Sequence, residues 1–143
     1  MPARGRDAPD LLVDTSVAVA LVVTDHEHHR QTFAVLGDKR LGLAGHAAFE
    51  TFSVLTRLPP PARRTPATVA RLLAHNFPHS RFLGPRAAAG LLAGLEANGI
   101  AGGSVYDALV GAAAAEHGCL LATRDHRALD TYRTLDVRVE LLT

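Results

Sequence analysis

Four acidic residues stand out because each lies beside or within an apolar segment, where a carboxylate is costly unless it is paired or bound to a cation. Asp14 interrupts the run "LLVDTSVAVALVV" (residues 11–23), and Asp125 follows "CLLAT" (119–123) after one intervening arginine. Glu50 and Asp107 lie within segments rich in Ala, Val and Leu. These four side chains are the candidates for a cation-binding or catalytic site.

Asp107 gives the strongest individual signal. The segment "SVYDALVGAAAAEHG" (104–118) is apolar nearly all round, which predicts a largely buried helix. Asp107 is the one charged residue in its first three turns and shares a face with Val110 and Ala114. The helix dipole favours an acid in the first turn but does not explain a buried one. A functional role is therefore favoured.

Glu50 gives a weaker signal. In "HAAFETFSVLTRL" (46–58) it shares a face with Ala47 and Val54, while Phe52 and Leu55 mark another apolar face. This helix is predicted to be buried on more than one side. A functional glutamate and a solvated one fit this spacing equally well.

Short apolar strands alternate with helical segments along the chain, which predicts an α/β fold with a parallel sheet covered on both faces. Ser16, Thr65 and Ser104 are candidate helix caps. The predicted strands are 10–14, 40–44, 81–84, 119–123 and 137–141, and the predicted helices are 16–23, 27–36, 46–58, 66–77, 85–98, 104–118 and 125–135.

Two of the acids stand at strand ends. In parallel sheets, ligand sites lie just beyond the carboxyl ends of the strands. Asp14 ends the first predicted strand, and Asp125 comes just after the fourth. Each alone is compatible with a helix cap, but together they predict a site at this edge of the sheet.

The length of 143 residues predicts one domain, with residues 1–9 as a flexible tail. The chain is 48% hydrophobic but only 5% aromatic, so its core must consist mainly of Leu, Val and Ala. The single cysteine, Cys119, excludes an intrachain disulfide and is predicted to be a small buried hydrophobe.

The acidic and histidine-rich stretch "DHEHH" (25–29) is interpreted as a solvated helix start, because consecutive residues there point in different directions.

The start of the chain does not fit an export or membrane segment. A secretory signal needs a basic start and an unbroken apolar region, whereas acids offset the arginines before residue 10 and Asp14 interrupts the run. The run is also shorter than the about 20 apolar residues of a membrane helix. We therefore expect a cytoplasmic protein without a membrane segment.

The net charge of +1 hides an uneven distribution. The stretch 51–95 contains no Asp or Glu, and it holds a set of arginines. Guanidinium groups suit phosphate recognition because they donate bidentate hydrogen bonds. Nucleic acid or an acidic partner and a set of solvated helix faces explain this block about equally well. Its arginines are Arg57, Arg63, Arg64, Arg71, Arg81 and Arg86.

Taken in order, "LLVDTSV", the glutamate in "HAAFETFSVL", "YDALVGAAAAEHG" and "LLATRDHRAL" resemble the PIN-domain ribonucleases. The resemblance is closest to the small VapC-type toxins of bacterial toxin–antitoxin pairs, and it covers the chain from about Asp10 to Leu142. No single motif is specific, but the ordered set is. Val17-Ala18-Val19 and Leu129 stand where aromatic residues are common in the family. Both are packing positions and leave the chemistry intact.

The resemblance implies a three-layer α/β/α sandwich around a parallel sheet of four to five strands. The four carboxylates would meet in one pocket, where a divalent cation relieves their repulsion. Oxygen ligands select Mg²⁺ or Mn²⁺. Asp14, Asp107 and Asp125 would be direct or water-mediated ligands, and Glu50 would bind a second ion or orient the attacking water. The carboxylates or bridging waters would be held by Thr15, Ser16 and Thr123.

The implied activity is metal-dependent endoribonucleolytic cleavage that leaves a 5′-phosphate and a 3′-hydroxyl. The arginines from Arg57 to Arg86 would bind the RNA backbone by charge. The same block would help to form a homodimer and to receive a cognate antitoxin protein.

Two other functions stay open. A phosphatase of the haloacid-dehalogenase type also places Asp at the end of its first strand. It needs a second Asp two residues later, where this chain has Ser16, and a phosphate-binding lysine, whereas the only lysine here is Lys39. A non-catalytic PIN-like protein that binds RNA or a partner would usually lack part of the acidic set, which is complete here.

Overall fold

The computed structural model describes residues 8–143. A sheet of four parallel strands has the spatial order β2-β1-β3-β4. The strands β1, β2 and β3 are buried along their whole length, and β4 is a partly exposed edge. The strands are β1 (Leu11–Val13), β2 (Leu41–Leu43), β3 (Leu121–Thr123) and β4 (Val139–Leu141).

Residues 8–143 also form seven α-helices, most of which cover the two faces of this sheet, and a 3-10 turn, His126–Ala128, leads into the last of them. The α/β prediction is confirmed, with four strands. The helices are α1 (Thr15–Val22), α2 (His29–Leu36), α3 (His46–Thr56), α4 (Pro66–Asn76), α5 (Pro85–Gly94), α6 (Ser104–Glu116) and α7 (Leu129–Thr134).

Two apolar clusters lie on opposite faces of the sheet, because successive strand side chains point to opposite sides. Leu11 and Val13 pack with residues of α1, α2 and the end of α4. Leu12 packs with residues of α3, α6 and α7. The core consists mainly of Leu, Val and Ala as predicted, and Tyr132 is its largest fully buried side chain. These two layers of helices with the sheet between them form the three-layer sandwich.

One predicted strand is absent, and one predicted helix is shorter than expected. The segment 81–84 is not a strand, since Arg81 forms only an isolated bridge with Ala44. The backbone N–H of Gly84 donates instead to the Glu116 carboxylate at 2.9 Å. The helix that starts at Pro85 ends at Gly94 rather than at residue 98, and turns follow it.

Two of the three predicted helix caps are also wrong. The cap of α1 is Asp14, which accepts from the Val17 backbone N–H, while Ser16 donates its own proton to Asp14. The start of α6 has no side-chain cap, because Gly103 precedes it. Thr65 caps α4 as predicted by accepting from the Thr68 backbone N–H.

The residues just before β1 already pack against the rest of the domain. Residues 1–7 of the predicted tail lie outside the described part of the chain. Pro9 is buried, and Asp10 accepts from the Arg40 backbone N–H at 2.7 Å and from its guanidinium at 3.0 Å.

Cys119 is half-buried rather than buried, and its thiol donates to the His117 carbonyl. Within residues 8–143, no helix combines the length and the apolar character that a bilayer crossing requires.

The loop after α4 lies directly against β2 at Gly42. A Cβ atom at this glycine would stand 2.1 Å from the His79 carbonyl oxygen. The His79 N–H donates to the Leu41 carbonyl at 3.1 Å, and the Leu43 N–H donates to Ser80 Oγ at 2.9 Å. Only a residue without a side chain fits between the strand and this loop.

We predict opposite effects for two glycine-to-alanine substitutions. Gly42→Ala should lower the free energy of unfolding by about 2–4 kcal/mol, because backbone atoms must move apart. Gly90→Ala is the matched control in α5, where a Cβ meets no atom within 4 Å, and it should raise that free energy by up to about 1 kcal/mol. Urea unfolding followed by circular dichroism measures both, and equal effects would contradict the close approach.

Candidate active site

Asp14 lies at the carboxyl end of β1 with its carboxylate buried among four hydrogen-bond donors. Ser16 Oγ donates to Oδ1 at 2.5 Å, and the Val17 backbone N–H donates to the same oxygen at 3.2 Å. Thr123 Oγ1 and the Tyr132 hydroxyl donate to Oδ2, the latter at 3.1 Å. Burial raises the pKa of Asp14, and these four donors oppose the rise.

The two side-chain hydroxyls nearest Asp14 are themselves fixed by backbone donors. The Arg124 N–H donates to Ser16 Oγ at 2.9 Å, and the Asp125 N–H donates to Thr123 Oγ1 at 3.0 Å. Because each hydroxyl oxygen accepts one of these bonds, its proton is directed to Asp14. The segment after β3 is thereby tied to the segment after β1, so two strand ends are held in register by one buried carboxylate.

A cavity of about 210 Å³ opens at this edge of the sheet, and the four acids predicted from the sequence share it. α3 contributes Glu50 and α6 contributes Asp107. Asp14 is buried, Asp107 and Asp125 are half-buried, and Glu50 is exposed at the mouth. The full lining is Asp14, Thr15, Ser16, Glu50, Asp107, Val110, Asp125 and Tyr132.

A second cavity, of about 250 Å³, lies beside the amino end of β2, where Phe33, Lys39 and His75 contribute to its wall. None of its lining residues is acidic. Its slightly larger volume does not make it the better candidate, because the four acids lie in the cavity at the opposite edge of the sheet.

The acids of the first cavity influence one another. Burial raises the pKa of Asp107 to about 6, and the charges of Asp125, Asp14 and Glu50 add to the rise. Arg127 opposes it. Carboxylates that repel one another in this way favour a bound cation.

The donor set fits a hard divalent ion, since the polar side chains of the cavity offer only carboxylate and hydroxyl oxygens. Within residues 8–143, however, no three Asp, Glu, His or Cys side chains converge closely enough to coordinate one ion. Sharing a cavity requires side chains that face a common space, whereas coordination requires oxygen atoms directed at one point. Ion binding would therefore need rotation of the less buried carboxylates, Asp107, Asp125 and Glu50.

The stretch 25–29 likewise forms no such group among the described residues. Its side chains make local contacts instead. His29 Nδ1 lies 3.0 Å from the Ala20 carbonyl oxygen, and His28 Nε2 lies 3.4 Å from a Glu27 carboxylate oxygen. The helix begins at His29 rather than at Glu27.

The three hydroxyl residues predicted to hold the acids divide into two groups. Ser16 and Thr123 bind Asp14 directly. Thr15 lines the cavity, but its hydroxyl lies 3.5 Å from the Ala47 carbonyl and 3.4 Å from the Thr51 hydroxyl, so it links α1 to α3.

Tyr132 was missed by the sequence reasoning. A signal was available, because Ala128 and Tyr132 follow Asp125 at the i+3 and i+7 spacing of one helix face. The hydrogen bond from Tyr132 to Asp14, however, depends on how α7 packs against the sheet.

None of the six predicted RNA-binding arginines lines the acidic cavity. Arg64 donates to the Ala62 carbonyl, and Arg81 donates to the carbonyls of residues 79 and 80. Arg81 lines a separate cavity with Gly118 and Cys119, which precede β3. The exposed members are Arg57, Arg63, Arg71 and Arg86.

One arginine outside that set lies closer to the acids. Arg127 Nε is 3.6 Å from the Asp125 carboxylate, and the Arg127 side chain is 94% exposed. Its charge lowers the pKa of Asp107. Sequence reasoning missed it because the basic block was sought in the acid-free stretch alone.

The raised pKa of Asp107 predicts a pH-dependent effect of Asp107→Asn on the ion-free protein. Above about pH 7 the folded wild type holds an ionised, repelled Asp107, so the variant should melt at a higher temperature. As the pH falls through about 6, the folded wild type takes up a proton at Asp107 and gains stability relative to the variant. The difference in melting temperature should therefore shrink towards about pH 5.

Thermal melts in a chelating buffer between about pH 5 and 8 test this. Asp130→Asn is the matched control, because Asp130 is a fully exposed acid on α7. A difference for Asp107→Asn that stays constant over this range would contradict the electrostatic account.

Comparisons with known proteins give the fold and the site their context. The model of the PIN domain family matches residues 11–134. The chain is 48% identical over 131 residues to Ribonuclease VapC27 of Mycobacterium tuberculosis, covering 92% of this chain and 96% of that protein. It is 46% identical over 132 residues to Ribonuclease VapC40 of the same species, covering 91% and 97%.

Solved structures show the same fold at lower sequence identity. VapBC2 from Rickettsia felis, bound to a DNA fragment from its promoter, matches with a TM-score of 0.66 and 12% identity over 92% of this chain and 98% of that chain. FitAcB from Neisseria gonorrhoeae matches with a TM-score of 0.62 and 21% identity over 90% and 94%. The family match over most of the chain, together with two close relatives of similar length, shows that this chain belongs to the PIN-domain family and, within it, to the VapC group.

Proposed function

We propose that this protein is the toxin of a toxin–antitoxin module, an endoribonuclease that hydrolyses RNA phosphodiester bonds with Mg²⁺ or Mn²⁺ in the cytoplasm. The observation that carries the proposal is the cavity in which Asp14, Glu50, Asp107 and Asp125, from four separate segments, face a common space. The relatives named as ribonucleases support the reaction. The fold neighbours VapBC2 and FitAcB support an antitoxin partner.

In this proposal, Asp14, Asp107 and Asp125 hold the ion directly or through water. The bound ion would lower the pKa of a water molecule and offset negative charge at the scissile phosphate. Glu50 stands at the exposed mouth of the cavity, where it would orient the attacking water or bind a second ion. Attack on phosphorus in line with the bond to O3′ would leave a 3′-hydroxyl and a 5′-phosphate.

Differences in burial support different tasks for the acids in this proposal. Asp14 is 4% exposed and held by four donors, so it is a fixed point of the site. Asp107 and Asp125 are half-buried. Asp125 Oδ1 accepts from the Arg127 backbone N–H at 2.9 Å and so caps the 3-10 turn, which leaves Oδ2 as the oxygen that would bind an ion. A bound ion would also relieve the repulsion that raises the pKa of Asp107.

Arginines at the surface would bind the RNA backbone. Arg57 follows Glu50 by two helical turns at the end of α3, which places its Cα about 10 Å along the helix from that of Glu50. Arg127 flanks Asp125 at the cavity. An RNA strand that crosses the cavity mouth would meet both. The proposed set also includes Arg63, Arg64, Arg71, Arg81 and Arg86, of which Arg63, Arg64 and Arg81 already donate to backbone carbonyls.

A homodimer is part of the proposal, and an apolar surface of α3 and α5 supports it. Phe49, Phe82 and Leu92 are 66%, 51% and 73% exposed. Phe49 and Phe82 stand edge to face, 6.1 Å apart, in a groove of about 390 Å³ that also contains Leu83 and Leu109. A second copy would cover this surface, whose exposure in a monomer is unusual for large apolar side chains.

The central test of the reaction is cleavage by Asp107→Asn. Wild-type protein, purified free of antitoxin, should cut RNA with Mg²⁺ or Mn²⁺ and stop when a chelator is added. Asp107→Asn should lower kcat by about 10³-fold, because several kcal/mol of transition-state stabilisation depend on the ion. Gel analysis of labelled RNA measures the rate.

Asp130→Asn removes an exposed acid of α7 outside the cavity and should cut like wild type. Circular dichroism of each variant establishes that the fold persists. Wild-type rates for Asp107→Asn would refute the site assignment. RNA binding without cleavage by any form would favour the non-catalytic alternative.

The arginine assignment predicts a change in RNA binding. Arg57→Gln should weaken binding and reduce the slope of log affinity against log salt by about 1, because one phosphate contact is lost. Arg133→Gln is the matched control, since Arg133 is exposed and pairs with Asp130 on α7. Each variant is combined with Asp107→Asn so that the RNA stays uncut, and fluorescence anisotropy of labelled RNA measures its affinity at several salt concentrations. An equal salt slope for the two variants would show that Arg57 does not contact RNA.

A further inference from the structure

The hydroxyl of Tyr132 donates to Asp14, and both residues line the acidic cavity. We propose that it holds, in the ion-free protein, the position on the Asp14 carboxylate that a divalent cation would use, so that ion binding requires Tyr132 to give up its hydrogen bond to Asp14. This inference rests on the proposed metal-dependent function and concerns how ion binding begins at this site.

The Asp14 carboxylate has no acceptor position to spare. An ionised carboxylate offers about four lone-pair positions. Four donors occupy them, with Ser16 and the Val17 N–H on Oδ1 and with Thr123 and Tyr132 on Oδ2. An ion can bind an Asp14 oxygen directly only after one donor has left.

Three of the four donors are not free to leave. The Val17 N–H belongs to the first turn of α1, which Asp14 caps. Ser16 Oγ and Thr123 Oγ1 accept the N–H groups of Arg124 and Asp125, which directs their protons to Asp14. Turning either hydroxyl away would disturb the contact between the ends of β1 and β3 and leave a donor without its partner.

The Tyr132 hydroxyl is not tied to the strand ends in this way. Within the described chain, Asp14 is the hydrogen-bond partner of its hydroxyl. Tyr132 also lines the cavity, so its O–H can turn to cavity water by rotation about the C–O bond.

The ring itself is fixed, which confines the change to the hydroxyl. Tyr132 is 1% exposed and packs with Leu12 and Val110. Its Cδ1 atom lies 3.0 Å from the position that a Cβ on Gly111 would take. Tyr132→Phe therefore retains the packing and removes only the competing donor.

The change in ion affinity on removal of the Tyr132 hydroxyl distinguishes competition with the ion from a purely structural role. If the hydroxyl competes with the ion, its removal tightens ion binding. If the hydroxyl only holds Asp14 in place, its removal weakens ion binding or leaves it unchanged. Tyr106→Phe is the matched control, because it also removes a phenol hydroxyl, one residue from Asp107, from a ring that stacks on His46.

The experiment is a titration of ion-free protein with Mn²⁺, in which electron paramagnetic resonance counts the free ion. Tyr132→Phe should bind Mn²⁺ about tenfold more tightly than wild type, the size expected for one hydrogen bond that no longer has to be broken. Tyr106→Phe should bind like wild type. Equal or weaker binding by Tyr132→Phe would overturn the inference.

Tyrosine fluorescence gives a second reading that does not depend on the folding of Tyr132→Phe. The chain has two tyrosines and no tryptophan, so Tyr132 is the only strong emitter in Tyr106→Phe. A carboxylate that accepts a hydrogen bond from a phenol quenches its fluorescence. Mg²⁺ should therefore raise the emission of Tyr106→Phe.

Failure of the Tyr132 inference can be distinguished from failure of the proposed metal-dependent function. If Mg²⁺ displaces bound Mn²⁺ from the protein while the emission of Tyr106→Phe stays unchanged, Tyr132 keeps its bond and the inference is wrong, although the metal-dependent function stands. If wild type binds neither ion, the metal requirement fails and this inference fails with it.

Discussion

The burial of the Asp14 carboxylate is the interaction on which the site depends. A charged group at the end of a buried strand is stable only if its lone pairs are satisfied. Here the satisfying groups come from the first turn of α1, from the end of β3 and from α7. The same bonds that stabilise this acid therefore join the two central strands at the edge where the other acids stand.

The three-layer architecture explains how the remaining acids reach that edge. Parallel strands place their carboxyl ends together, and the helices that follow them start there. α3 follows β2 and carries Glu50, and the 3-10 turn after β3 begins behind Asp125. α6 brings Asp107 from a distant part of the chain. The result is a gradient of burial from Asp14 to Glu50, in which the deepest acid is immobilised and the outer ones can respond to an ion or a substrate.

The sequence predicted the parts of this arrangement that depend on local pattern. Asp14 and Asp107 were found because a charge inside an apolar segment needs a reason, and the alternation of strands and helices predicted the parallel sheet. Predictions that depend on tertiary contacts were less successful. Serine is a frequent helix cap, but the Ser16 hydroxyl donates to Asp14 and accepts from the Arg124 N–H instead. The segment 81–84 looks like a strand, but Gly84 turns to Glu116 instead of to the sheet. Tyr132 reaches Asp14 through the packing of α7 against the sheet, and Arg127 lies beside Asp125 in the 3-10 turn, outside the acid-free stretch.

The account claims above all that a divalent cation binds among these acids at the carboxyl edge of the sheet. A crystal structure of the protein with Mn²⁺, with an anomalous difference map at the manganese absorption edge, tests this directly. The account predicts an anomalous peak in the cavity, within bonding distance of oxygens of Asp107 or Asp125 and beside Asp14. An empty cavity in crystals that hold Mn²⁺ elsewhere, for example at residues 25–29, would contradict it.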